Sequence, residues 1–223
     1  MKKVFFAIAT LLSMALGASA QNPGEDNGFG LKLQVGIPGN NYGCPENHSE
    51  TGYSLKHEYS GAMFGLGLEN RWYVWHNDKM GVAVHARWMD ILLGGGEVTT
   101  KTSIIGKKVS SETVDVMNVE LGLLGVGPMY TFYFGHDMAV DGYYNIVPTY
   151  MLAVYEAEKD DDDDVFMGGF GFTHNIGAAF RWKFLQAGLE YKLGEIELED
   201  YDDNVENYDS KANGLKVFFG FKF

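Results

Sequence analysis

The side chains best suited to chemistry in this chain are ionisable ones at alternate positions among glycine and apolar residues: Lys32, Glu69, Arg71, His85, Arg87, Glu120, Arg181, Lys183, Glu190, Lys192, Lys216 and Lys222. Acids and bases at this density must pair or sit in water, because an uncompensated buried charge is too costly to keep. Two outcomes follow. One is a salt-bridged network that fills an interior. The other is a narrow polar pore whose lining holds more cations than acids and so favours anions. His85 titrates nearest to neutral pH and reads as a satisfied interior histidine.

A second set is acidic. Glu156, Glu158 and Asp160 to Asp164 crowd one segment; Glu195, Glu197, Glu199, Asp200, Asp202, Asp203, Glu206 and Asp209 crowd another, and together they carry much of the net charge of −13. Like charges repel and hold a loop in solvent. Their oxygens also suit divalent cations, a candidate partner for these loops, although the aspartate run lacks the Gly and distal Glu of an EF-hand loop. No dedicated metal site and no cofactor are expected, and nothing in so acidic a chain suggests a nucleic-acid partner. Catalytic signatures are missing from the sequence: no Gly-x-Ser-x-Gly elbow, His-Glu-x-x-His helix, P-loop or dinucleotide fingerprint occurs. The expectation is a protein that is not an enzyme. Cys44 stands alone, so no intramolecular disulfide staples the fold.

The elements that must position these charges are strands. Apolar residues recur with a period of two over about eight segments: 28–37, 61–74, 80–88, 114–134, 139–155, 165–184, 185–198 and 214–223. Phe29, Leu31, Leu33, Val35 and Ile37 oppose Gly30, Lys32, Gln34 and Gly36; Phe170, Phe172, Ile176, Phe180 and Trp182 oppose Gly169, Gly171, Gly177, Arg181 and Lys183. Glycine and charge share one face throughout. A solvated surface has no need of so much glycine, whereas a narrow interior needs it beside long Arg and Lys stems. The greasy face therefore looks out, and lipid is the solvent that tolerates it. Every backbone polar group must then find an internal partner, which demands a closed sheet. The connections alternate. Long ones span 38–60, 89–113, 159–164 and 199–213; short ones lie at 75–79, 135–138 and near 184–186, as in membrane barrels with short periplasmic turns and long outer loops. Three places spoil the alternation. The fourth strand changes parity between Leu123 and Gly127, which predicts a bulge, Pro148 interrupts the fifth, and His174 falls on the apolar face.

Both termini point the same way. Met1-Lys2-Lys3, an apolar run to Gly17 and Ala18-Ser19-Ala20 read as a cleaved signal peptide over residues 1–20, followed by a short segment 21–27 and a barrel domain 28–223. Gln21 replaces the Cys of a lipoprotein. In the last segment Leu215, Val217, Phe219, Phe221 and Phe223 line one face. This pattern resembles the small Gram-negative outer-membrane β-barrel proteins of the outer membrane protein A and W type, porin-like in architecture. The resemblance implies an all-β, closed, antiparallel up-and-down barrel of eight strands in the bacterial outer membrane. It implies a non-enzymatic scaffold with contact loops, or alternatively a narrow channel or small-molecule transporter, with a lipid-modifying enzyme as the remaining class. Outer-membrane lipid and lipopolysaccharide are the implied surroundings. Residues Leu215 to Phe223 are similar to the signal read by the outer-membrane barrel assembly machinery. Phe172-Thr173-His174-Asn175 is only faintly similar to barrel lipid A deacylases, whose serine is missing at Asn175 and Ile176.

Overall fold

The computed structural model describes residues 28–44, 48–50, 53–104, 107–135, 137–156, 165–200 and 208–223. The expected signal peptide, the segment 21–27, the aspartate run Asp160–Asp164 and residues Asp202, Asp203 and Glu206 lie outside them.

The described residues form ten strands: β1 (Gly28–Pro38), β2 (His48–Glu50), β3 (Tyr53–His76), β4 (Met80–Ile104), β5 (Lys107–Tyr133), β6 (Met138–Tyr155), β7 (Val165–Trp182), β8 (Leu185–Asp200), β9 (Tyr208–Lys211) and β10 (Gly214–Lys222). All described pairings between strands are antiparallel. Leaving aside the short β2 and β9, each long strand pairs with its neighbours in sequence, and β1 pairs with both β10 and β3. That double pairing closes an eight-stranded up-and-down barrel and removes the sheet edges within the ring.

Alternation follows the expected faces. Leu33, Phe64, Leu66, Trp72, Phe170, Phe172, Ile176, Phe180 and Trp182 are exposed on the outside, while Lys32, Glu69, Arg71 and Arg181 of the same strands are buried. From Phe29 to Ile37 the outward apolar row of β1 climbs about 20 Å at ~3.3 Å per residue and ~40° tilt, close to the ~25 Å apolar band of a membrane barrel. Such an exterior is a lipid-facing surface.

Two ladder irregularities re-aim side chains. Between β3 and β4 the register shifts from Leu68↔Met89 to Glu69↔Arg87, skipping Trp88. Strict alternation forbids two residues three apart from sharing a face, yet Arg87 and Asp90 both point inward; the bulge at Trp88 is the reason. In β5 the register shifts between Gly122 and Val126, with Leu124 in the left-handed region at φ 54. This is the bulge expected from the parity change.

Three expectations need correction. Residues 89–113, read as a loop, are largely strand: β4 runs on to Ile104 and β5 starts at Lys107. Likewise β3 already begins at Tyr53, inside the expected loop 38–60. These extensions pair Ser, Thr, Lys and Glu on both faces, so the apolar alternation that reveals a strand in lipid stops although the ladder does not. Lys183, expected inside, is exposed in the tight turn before β8, at φ 56. Asp90 and Asp141 join the interior as well, where buried Lys and Arg still outnumber buried Asp and Glu.

Candidate functional site

The interior of the barrel holds the chemistry. Lys32, Glu69, Arg71, His85, Arg87, Glu120, Arg181, Glu190, Lys192 and Lys216 are all buried there. Each comes from an inward position of a strand, so the period of two alone delivers them to one cavity. Lys222 is buried near the turn end, where Gly28 meets the backbone of Phe223.

Near the turn end, Asp141 on β6 accepts from Arg71 Nη1 at 3.0 Å, from Arg181 Nε at 2.5 Å and Nη2 at 3.0 Å, and from Thr131 Oγ1 at 2.6 Å. Arg181 Nη2 also donates to the Tyr73 hydroxyl at 3.0 Å. Glu69 forms the next node. It pairs with Lys32, accepts from Arg71 Nη2 at 3.2 Å and Gln186 Nε2 at 2.9 Å, and meets His85 Nε2 at 2.9 Å. The other His85 nitrogen lies 2.7 Å from Asn145 Oδ1.

Higher up, Arg87 reaches both oxygens of Glu190, and Glu190 also takes Lys216 at 2.5 Å and the Tyr143 hydroxyl at 3.0 Å. Asp90 joins the same node through Arg87 at 3.0 Å and Lys216 at 2.7 Å, and accepts from Gln34. Glu120 holds Lys192 and the Tyr42 hydroxyl, the latter at 2.8 Å. Every one of these five acids therefore has at least two donors, which is the condition under which buried charge is tolerated.

Glycine makes the space. A Cβ at Gly177 would stand 2.3 Å from the Tyr143 ring, and one at Gly188 would stand 2.6 Å from Phe218. Phe218, the bulky residue on the otherwise small and charged face of β10, packs inside with Ala83, Met129, Tyr143 and Ala179. The Lys32 ammonium sits 4.1 Å from its ring centroid, a cation–π contact in place of a further carboxylate.

The loop end is filled differently. Met63, Leu92, Met151, Met167, Ile196 and Leu198 form an apolar cluster capped by Tyr42, Cys44 and Ala212. The segment 39–44 bends into the barrel mouth. Gly39 N donates to Asn213 O at 2.7 Å, Tyr59 N donates to Asn40 O at 2.5 Å, and the Tyr155 and Tyr208 hydroxyls both donate to Gly43 O. Burial pushes the Cys44 thiol up to about 12.

Sequence reasoning put Gln34 on the inward face, where it is buried, but missed Asp90, Asp141, Asn145, Gln186 and the plug at 39–44. Asp90 was hidden by the bulge at Trp88. Asp141 was legible, since it alternates with Ala139 and Tyr143 on the face opposite Tyr144, Ile146 and Tyr150. Of the last-strand residues, Leu215, Val217 and Phe219 face outward and exposed, whereas Phe221 and Phe223 are half-buried; Phe221 stacks on Phe184 with ring centroids 6.4 Å apart. Outside the barrel wall, the misplaced His174 lies with its Nδ1 2.6 Å from the Tyr144 hydroxyl.

No family model matches the chain, and no curated protein matches it either. Among solved structures it is similar to the outer membrane protein OprG from Pseudomonas aeruginosa, at 12% identity and a TM-score of 0.49 over 88% of this chain and 96% of that one. It is similar to the outer membrane protease OmpT from Escherichia coli, at 8% identity and 0.41 over 91% and 96%. It is also similar to Ail, the attachment invasion locus protein of Yersinia pestis, at 10% identity and 0.41 over 88% and 97%. At such identities the likeness is one of fold.

Proposed function

We propose that this chain is an integral protein of the bacterial outer membrane, not an enzyme, whose barrel is a closed and rigid anchor for surfaces displayed outside. The observation that carries this reading is the packing of the lumen. Five carboxylates, each holding at least two donors, occupy its length, and an apolar plug fills its loop end. A solute path needs a continuous file of water, and side chains packed and paired in this way argue against one.

The displayed surface is a polar blade. Beyond the Val116↔Tyr155 pair, β5 has only β4 as a partner among the described residues, while β3 runs beside β4 to Tyr53↔Ile104. Its side chains are mostly hydroxyls and charges, including His57 bonded to Thr100 and Glu58 paired with Lys101, with Tyr53, Ile104 and Val109 exposed among them. These suit contacts with surface polysaccharide, lipopolysaccharide or a host surface better than burial. The exposed Glu195, Glu197 and Asp209 would meet anionic lipopolysaccharide through divalent cations. Leu215, Val217, Phe219, Phe221 and Phe223 would be the segment the barrel assembly machinery reads.

Conductance across a planar bilayer tests the reading. Electrical silence is expected of the purified protein. Steady ion-selective openings that change on substituting Arg87 or Lys192 would replace it with the narrow-channel reading. Turnover of lipid or peptide substrates by the purified barrel would replace it with an enzymatic one.

A further inference from the structure

His174 stands exposed in the middle of an otherwise apolar outer row of β7, between Phe172 and Ile176, and its one polar partner among the described residues is Tyr144 on β6. The two rings stack with centroids 5.9 Å apart and 22° between planes. The pair is a hydrogen-bonding unit with a fixed remainder. If the Tyr144 hydroxyl donates to Nδ1, the neutral ring keeps an Nε2–H donor; if Nδ1–H donates to the tyrosine oxygen, the hydroxyl proton is left. Either way one donor remains on a lipid-facing wall, where an unmet polar group is expensive.

Its depth identifies what meets that donor. Trp182 ends β7 at the turn end of the barrel. Eight residues up the strand, at about 2.5 Å of height each, His174 lies ~20 Å above it, close to the far edge of a ~25 Å apolar band. Two residues further, Phe172 is paired with Glu195, the first exposed charge of that wall. The donor therefore sits just beneath the charged layer, at the level where ester and amide linkages join acyl chains to headgroups. Those linkages offer carbonyl acceptors to a donor held at the edge of the hydrocarbon.

We infer that Tyr144 and His174 form a lipid-binding site that donates one hydrogen bond to an acyl-linkage carbonyl of an outer-leaflet lipid. This rests on the membrane reading above. It gives one stripe of the barrel wall, between β6 and β7, a bound lipid rather than a fluid one.

The test is a competition in nanodiscs holding equal amounts of diester phosphatidylethanolamine and its diether analogue, which lacks the carbonyls, read by native mass spectrometry of lipid retained on the protein. The wild type is expected to retain the diester about three- to tenfold over the diether, the range of one net hydrogen bond. The double variant Y144F/H174F should show no preference, and His174→Gln, which keeps a donor, should show most of it. Both phenylalanines suit a lipid-facing position; folding is checked by heat-dependent migration. No preference in the wild type, or an equal one in the double variant, overturns the site. A wild-type dimer that the double variant dissolves overturns it in favour of a second copy as the acceptor. A protein that never enters the nanodisc overturns the membrane reading and the site together.

Discussion

The two halves of the lumen solve one problem in opposite ways. Toward the turn end and through the middle, space is filled by ions: Asp141, Glu69, Glu190, Asp90 and Glu120 tie Arg71, Arg181, Arg87 and three lysines into adjoining nodes. Toward the loop end it is filled by methionine, leucine and isoleucine under a folded-in segment. The ionic half is supplied entirely by strands, and its specificity lies in geometry, since each charge is tolerated only while its partners stay. The apolar half depends on chain outside the ladder, whose packing is less demanding of angle but sensitive to volume. A barrel wall built for lipid must bury polarity somewhere, and here it does so where strand geometry is most rigid.

The largest effect is expected from breaking the ionic half. Glu190→Ala strands Arg87 and Lys216, which share Asp90 as their remaining acid, and removes the acceptor of Tyr143. Loss of one member of a buried network costs about 3–5 kcal/mol, read as a lower urea midpoint in the unfolding of the refolded barrel. A loss below ~1 kcal/mol would mean that water reaches this node and that the lumen is less filled than its packing implies. Met151→Ala probes the other half. Met151 is fully buried, and the cavity left should cost about 2–4 kcal/mol, with no new dependence on pH.

The joint between the halves is Tyr42, whose ring lies among the apolar residues and whose hydroxyl donates to Glu120. Tyr42→Phe keeps the ring and leaves Glu120 with Lys192, so the expected loss is only ~1 kcal/mol in the same unfolding assay. A loss as large as that of Glu190→Ala would make the plug part of the ionic lattice rather than a lid upon it.

Much of this was legible from residue order. Alternation placed Lys32, Arg71, Glu120 and Lys192 inside because the strand period is fixed by the backbone and needs no tertiary information. Parity carried this only as far as the first bulge, which is why Asp90 read as a loop residue. The polar extensions of β3, β4 and β5 escaped for a related reason: period two marks a strand only where its two faces meet different solvents. Above the bilayer both faces meet water. The plug was invisible because nothing in Gly39-Asn40-Asn41-Tyr42-Gly43-Cys44 says which way a loop turns; the acceptor at Glu120, the packing around Cys44 and bonds from Tyr59, Tyr155 and Tyr208 on distant strands fix it.

Cys44 reports on that lid directly. Its ordinary thiol value is 9.0, and burial raises it to about 12. Below pH 9 the thiol is protonated whether the segment is seated or released, so pH does not bias opening. Between about 9 and 12 only the released thiol ionises, so release is favoured by up to about tenfold per pH unit. Alkylation should be slow at pH 8 and go on rising about tenfold per pH unit above 9, where an accessible thiol levels off. Fast modification at pH 7 would mean that the segment spends much of its time outside the mouth.

The smallest effect belongs to the blade, where charge meets water on all sides. Lys101 pairs with Glu58, and its hydrogen bond and charge hold the Glu58 carboxyl below its ordinary 4.5. A depressed acid value contributes stability that is present above pH 4.5 and is lost as pH falls through the lowered value. For an exposed pair, salt screens most of that contribution. Lys101→Ala should therefore leave the unfolding midpoint at pH 7 unchanged while returning the Glu58 titration, followed by NMR, toward 4.5. An unfolding shift comparable to that of Met151→Ala would show that the blade is packed against something rather than solvated, and the contrast between a filled interior and a free-standing exterior would fail at this pair.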